Sequence, residues 1–138
     1  MNRAVPGRFV PMAHDNPFLL RMSPTDRVTA NECLELVEGS ELFRELATRG
    51  WLWDRIEFQD AGDVLQYYSA GGTNRDEWFP ALSEAITGRR RLCVVEVRNR
   101  DRRGLEHYPK HVLGYVGTFF VDLDTMSVVY TMKDIYLT

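Results

Sequence analysis

The chain has 138 residues, of which 44% are hydrophobic and 27% are charged, and its formal net charge at pH 7 is −3. These values are typical of one soluble globular domain, so we predict a single domain over residues 1–138. The negative charge argues against bulk binding to nucleic acid or to anionic membranes, and no apolar run approaches the roughly 20 residues of a membrane span. The N-terminus lacks the apolar core of a signal peptide, which makes a cytoplasmic location the default expectation.

The first two segments are predicted to be an arm and a strand. Residues 1–16 carry scattered proline and glycine and show no hydrophobic period, so we interpret them as an N-terminal arm. Pro17–Met22 is short, apolar and bounded by turn-forming residues, a pattern that predicts a buried strand.

A helix pair follows. Ser23 is a good N-cap, Pro24 suits the first helical position, and Asp26 stands three residues after the cap, as in a capping box. We predict a helix over residues 24–38 and, after a glycine, a shorter helix that Ser40 caps and that continues through residue 49.

The middle of the chain carries weaker signals. Residues 51–59 partly alternate and hold three large aromatic side chains, which predicts a strand. Residues 61–70 predict one or two helical turns. Residues 76–87 predict a helix, in which Pro80 falls in the first turn, where proline is tolerated.

Three strands are predicted in the last third of the chain, over residues 91–99, 110–122 and 127–137. β-branched and aromatic residues dominate all three. Because the connections are too short for parallel crossovers, the strands are expected to form an antiparallel meander. The predicted fold class is therefore α+β, with a strand, a helix pair and then an antiparallel three-strand meander.

Metal and nucleophilic catalysis have no clear signature. His14, His107 and His111 show no metal-ligand spacing. Cys33 and Cys93 lack the flanking cations that lower the pKa of a thiol, and two cysteines are too few for a disulfide framework. Both cysteines have apolar neighbours, where a free cysteine behaves as a small hydrophobic residue.

Arginines cluster at residues 89–91 and again between residues 98 and 103. A strand hairpin with basic flanks can grip phosphate in RNA or in a cofactor. Acidic residues dilute the charge of residues 99–110, and Tyr108 is the one aromatic residue there. We therefore favour a solvated turn and consider nucleic-acid binding the weakest of three functional hypotheses.

The last predicted strand carries one carboxylate, Asp134, between Lys133 and Ile135. Within an apolar strand its pKa would be raised, and it would serve as a general base. Pairing with a neighbouring arginine agrees with the sequence equally well, and both interpretations stay open.

The order of elements and two short segments resemble the N-terminal half of the Gcn5-related N-acetyltransferase (GNAT) family. Residues 112–117 (VLGYVG) are similar to the third strand of that family, and residues 132–138 (MKDIYLT) are similar to its fourth. The resemblance covers roughly residues 17–50 and 91–138, with the residues between them as an insertion.

The resemblance implies a GNAT-like fold truncated after its fourth strand and an N-acetyltransferase-like activity. It assigns Asp134 as the catalytic residue and the backbone of Ile135, Tyr136 and Leu137 to the acetyl-coenzyme A site. Two features depart from the family. Lys133 replaces a glutamate that is the general base in some members, and the sequence ends before the family's pyrophosphate-binding loop. We therefore expect a vestigial acetyl-coenzyme A site, or one completed by a dimer.

The alternative hypothesis is a non-catalytic protein-interaction module or inhibitor, of the kind that phages encode. An uncovered last strand exposes unpaired backbone groups, which pair readily with another strand. We therefore expect a homo-oligomer or a protein partner bound through the edge of the last strand.

Overall fold

The computed structural model of the chain describes residues 15–48, 50–72, 75–101 and 113–137. Most of the predicted arm and most of the basic loop between the first two meander strands lie outside the described residues. The three histidines lie outside them as well.

The described residues form five helices and four strands. In chain order these are α1 (Pro17–Leu20), α2 (Pro24–Glu38), α3 (Glu41–Leu46), β1 (Trp51–Asp60), α4 (Ala61–Ser69), α5 (Arg75–Ile86), β2 (Arg91–Asp101), β3 (Leu113–Asp122) and β4 (Ser127–Leu137). The strands form one antiparallel sheet in the order β1-β2-β3-β4. The predicted α+β class and the C-terminal meander, β2–β4, are confirmed, and β1 adds a fourth antiparallel strand beside β2.

The predicted helix pair is confirmed as α2 and α3, and serine caps start both helices. The Ser23 hydroxyl accepts a hydrogen bond from the Asp26 amide at 3.1 Å. The Ser40 hydroxyl accepts one from the Phe43 amide at 3.3 Å. These bonds satisfy amides that the first turn of a helix leaves without partners. Helix α3 ends at Leu46, earlier than predicted.

The strand predicted at residues 17–22 is wrong, because Pro17–Leu20 forms the short helix α1. Asn16 caps this helix by accepting a hydrogen bond from the Phe18 amide at 2.9 Å. The same side chain donates to the Trp53 carbonyl on β1 at 3.0 Å. A short apolar run is compatible with either element, and here a cap anchored to a distant strand favours the helix.

Residues 51–60 form a strand as predicted, and the two helical predictions that follow are also confirmed. Helix α5 begins at Arg75, so Pro80 lies in its second turn rather than in its first. Strand β1 is irregular between Trp53 and Arg55, where the pairing register shifts. At this bulge Asp54 is not paired through its backbone with any residue of β2. Its carboxylate accepts a hydrogen bond from Arg98 Nε at 2.5 Å.

Helices cover both faces of the sheet. We call the face under α1–α3 the α2 face and the face under α4 and α5 the α4 face. Strand β2 contributes Cys93, Val95 and Val97 to the core of the α2 face. It contributes Leu92 and Val94 to the core of the α4 face. Because successive side chains of a strand point to opposite faces, the continuous apolar run of β2 fills both cores.

A buried amide and a glycine hold α3 against the sheet. Asn99 of β2 donates to the Leu46 carbonyl at 3.0 Å, and its side-chain oxygen accepts the Tyr115 amide at 3.1 Å. Gly117 lies beneath α3, where a Cβ atom would overlap Leu46 Cδ1 and come within 3.1 Å of the Phe119 ring. The absence of a side chain therefore allows the helix to approach β3 closely.

The turn between β3 and β4 is organised by a buried carboxylate. Asp122 accepts hydrogen bonds from Arg89 Nη1 at 2.6 Å and from the amides of Asp124 and Thr125 at 2.7 and 3.2 Å. Burial would raise the pKa of Asp122, but the Arg89 guanidinium and the two amides outweigh it and hold the pKa below its usual value.

We expect Asp122→Asn to lower the free energy of unfolding at pH 7 by about 1–3 kcal/mol, because the turn loses a charged acceptor and Arg89 loses its partner. A folded-state pKa below the unfolded value stabilises the protein above about pH 4, and the stabilisation disappears as the pH falls towards the folded pKa. Urea unfolding at a series of pH values from 7 to 2 should therefore show that the difference in free energy of unfolding between the wild-type protein and the variant becomes smaller in acid. Asp124→Asn, at an exposed ion pair, is the control and should change stability little. A pH-independent difference would contradict this assignment.

Candidate functional site

A groove of about 1090 Å³ lies between β4 and the facing ends of α4 and α5. We call it the β4 groove. Its described lining residues are Tyr67, Tyr68, Ala70, Gly71, Gly72, Glu77 and Trp78 from the helical side and Tyr130–Ile135 from β4. Gly71 and Gly72 have φ values of 141° and 125°, which favour glycine and turn the chain away from the end of α4.

Aromatic rings line the groove from the helices to the strand. The Tyr67 and Tyr68 rings meet edge to face at 4.9 Å, and Tyr68 contacts Trp78 in the same way at 5.9 Å. Tyr68 also contacts Phe120 of β3 at 5.8 Å, and Phe120 contacts Tyr130 of β4 at 6.2 Å. We call the rings of Tyr67, Tyr68 and Trp78 the aromatic wall. These contacts connect α4, α5 and the sheet, so they fix the position of the wall.

Among the described lining residues of the groove, acidic side chains outnumber basic ones by two to one. The carboxylates are Glu77 on α5 and Asp134 on β4. Lys133 also lines the groove, but its ammonium group donates to Glu45 Oε1 at 2.6 Å and lies 5.4 Å from the centre of the Tyr115 ring. Glu45 therefore compensates the lysine charge, which leaves the two carboxylates dominant.

A polar cluster on the α4 face lies next to the aromatic wall. Arg55 Nε lies 3.4 Å from Glu57 Oε1 and 3.6 Å from Glu96 Oε1. Burial raises the pKa of Tyr68, and the Arg55 guanidinium offsets part of that effect. The Tyr68 hydroxyl thus lies beside the Arg55 guanidinium, which connects the aromatic wall to this polar cluster.

The four residues assigned from the family resemblance all lie on β4. Asp134 and Ile135 line the groove. Tyr136 and Leu137 pair through their backbone with Gly114 and Leu113 of β3. The structure describes only the backbone of Tyr136 and Leu137. The Asp134 carboxylate is exposed and accepts a hydrogen bond from the Ile135 amide at 2.8 Å. Its surroundings are thus not the apolar ones on which the general-base argument relied.

The helical side of the groove was not predicted from the sequence. Tyr67, Tyr68, Glu77 and Trp78 received no functional role. One available signal was the double glycine at residues 71–72, close to aromatic residues on both sides. Aromatic residues at the ends of two helices joined by a glycine-containing turn are well placed to line a binding site.

The arginine run at residues 89–91 serves the structure of the sheet end. Arg89 and Arg90 form ion pairs with Asp122 and Asp124 at 2.6 and 2.7 Å. Arg91 Cζ lies 5.6 Å from the centre of the Phe58 ring on β1. These contacts favour a structural role over phosphate binding for these three side chains.

No family model matches the chain, and searches of the curated proteins and of the solved structures found no match either. Within the part of the chain that the structure describes, no helix is long and apolar enough to cross a membrane. Functional inference therefore depends on the geometry of the β4 groove.

We predict that the β4 groove binds alkylammonium ions, because aromatic faces and carboxylates both attract organic cations. Tetramethylammonium should shift the nuclear magnetic resonance signals of Tyr68, Trp78 and Asp134 in a saturable titration. Combining Glu77→Gln with Asp134→Asn should weaken the affinity about tenfold or more.

Glu32→Gln on α2 provides the matched control, since it removes one exposed carboxylate on the other side of the sheet. Neopentyl alcohol provides the neutral control ligand, since it is similar in shape and carries no charge. Equal binding of the alcohol and the ammonium ion would contradict a cation site.

Proposed function

We propose that this chain is a GNAT-like, acyltransferase-related domain whose β4 groove holds the amine that accepts an acyl group. The observation that carries the proposal is the position of Asp134 and Ile135. These residues were assigned from the family resemblance, and they line the same groove as the aromatic wall and Glu77.

The element order from β1 onwards also supports the proposal. Strand β1, helices α4 and α5, and the meander β2–β4 give a strand, a helix pair and three antiparallel strands over residues 51–137. The resemblance was first drawn over residues 17–50, as a strand and a helix pair, and residues 91–138. Because the predicted strand at residues 17–22 is helix α1, the correspondence now proposed uses β1, α4 and α5 instead, and α1–α3 become an addition that precedes it.

The groove can act on an amine in two ways. At neutral pH an alkylamine is protonated, so Glu77 and Asp134 attract its ammonium group while the aromatic rings contact its carbon atoms. To become a nucleophile the nitrogen must lose a proton. Asp134 lacks apolar surroundings, but it is an exposed carboxylate in the groove lining, and we propose on this position alone that it accepts the proton, directly or through water.

The described residues do not fit the phosphate end of acetyl-coenzyme A. Helix α5 begins beside the groove, but Asp76 and Glu77 occupy its first turn and would repel a pyrophosphate. Arg89 and Arg90 are engaged in ion pairs. The phosphates would need cations from a second copy or from residues outside the described ranges, in line with a site completed by a dimer.

Calorimetric titration with acetyl-coenzyme A tests the proposal, with the oligomeric state measured by light scattering in the same buffer. We expect micromolar affinity only at protein concentrations at which the dimer is populated. Asp134→Asn should leave this affinity within about twofold and lower acyl transfer to an amine by about 10²–10⁴-fold, because it removes the proton acceptor. Glu32→Gln should change neither quantity. If millimolar acetyl-coenzyme A gives no heat while amines still bind, the groove is an amine site without transferase activity.

A second candidate function is protein binding through the edge of β4. This strand has eleven residues and forms one edge of the sheet. Ile135 is 59% exposed on it. A long edge strand with an exposed apolar side chain favours pairing with another strand.

This second candidate predicts a dimer in which two β4 strands pair. Ile135→Lys should weaken the association about tenfold or more, because it places a charge in the contact. Leu20→Lys is the matched control, since Leu20 is 57% exposed but lies on α1. Sedimentation velocity of the three proteins measures the effect. A wild-type monomer at all concentrations, or equal effects of the two lysines, would refute a β4 interface between copies.

A further inference from the structure

The two cysteines of the chain meet in the core of the α2 face. Cys33 lies on α2 and Cys93 lies on β2, and both are free thiols with 0% exposure. Both belong to one buried core cluster, and the two thiols are close enough that each perturbs the pKa of the other. The surrounding core is apolar, so each thiol has the other as its polar neighbour.

We infer that Cys33 and Cys93 are a redox modification site, which forms an intramolecular disulfide and locks α2 onto the central strand β2. This inference is independent of the proposed function, because the pair lies on the opposite face of the sheet from the β4 groove. Formation of the disulfide requires an oxidant, and a low-molecular-weight disulfide is sufficient.

The reaction balances as two thiol–disulfide exchanges. One protein thiolate attacks a sulfur of the oxidant, forms a mixed disulfide and releases one small thiolate. The second protein thiolate attacks the protein sulfur of that mixed disulfide and releases the other small thiolate. The protein loses two protons and two electrons in total, and the oxidant is reduced to two thiols.

Burial makes the first of these steps the slower one. Contact with the other thiol and burial raise the pKa of Cys93, so little of its thiolate forms while the core is closed. Because both thiols are buried, the first step requires a transient opening between α2 and the sheet. The second step is then fast, since the partner sulfur is already in place.

The cross-link would join residues that are 60 positions apart in the sequence. The closed loop contains α3, β1, α4 and α5, and so spans more than a third of the chain. Closing a loop of this size restricts the unfolded chain much more than the folded one. We expect the melting temperature of the oxidised protein to rise on the order of 10 °C.

Intact-protein mass spectrometry after exposure to oxidised glutathione tests the inference. The folded protein is oxidised at a temperature just below its melting transition, quenched in acid, denatured and alkylated. We expect a monomer that has lost the mass of two hydrogen atoms and takes up no alkylating reagent. Peptide mapping should recover residues 33 and 93 in one disulfide-linked pair. Dithiothreitol should restore both thiols and the lower melting temperature.

Cys33→Ala and Cys93→Ala serve as controls, since each keeps one thiol and should show no oxidation-dependent rise in melting temperature. The wild-type mass and peptide map decide the question even if one of these variants folds poorly. Two alkylated cysteines after prolonged oxidation, or a stable adduct with glutathione, would overturn the inference. A cross-link found only between chains would overturn it as well.

Discussion

The structure depends on the burial of β2 on both of its faces. The side chains of Leu92–Val95 and Val97 are all 0% exposed, and they alternate between the two cores. A strand with two apolar faces loses its main stabilisation if either face meets water, so each face requires its own helices. Helices α1–α3 satisfy one face and α4 and α5 satisfy the other. The β4 groove results from the way in which α4 and α5 approach β4 at the edge of the sheet.

Helices α4 and α5 bring an aromatic wall to an edge strand without closing the space between them. Tyr68 and Trp78 lie at the ends of the two helices, and Asp134 faces them from β4. The rings are held by packing that also stabilises the fold, while the carboxylates remain available to a ligand. A rigid apolar wall beside carboxylates that form no ion pair with another described residue suits an organic cation better than a phosphate. The edge of β4 beyond the groove offers a second means of recognition, through backbone pairing.

Local signals in the sequence predicted most of the elements, and long-range contacts explain the exceptions. Ser23 and Ser40 cap helices through residues three positions away, so the sequence is sufficient to locate those helices. Helix α1 was missed because its cap, Asn16, is anchored to Trp53, which lies 37 positions away. The groove could be predicted only in part. Asp134 came from a family resemblance, whereas the contribution of Tyr68 depends on a helix–sheet contact that no local pattern encodes.

The most direct test of the central claim is the location of a bound ammonium ion. Nuclear Overhauser contacts from the methyl protons of tetramethylammonium to the protein locate the ion. If the β4 groove is the site, the contacts involve the rings of Tyr68, Trp78 and Tyr130. The protein carries an internal comparison, since Phe43, Trp51 and Trp53 form another aromatic cluster on the α2 face. Contacts to that cluster instead, or no contacts at saturating ligand, would contradict the account.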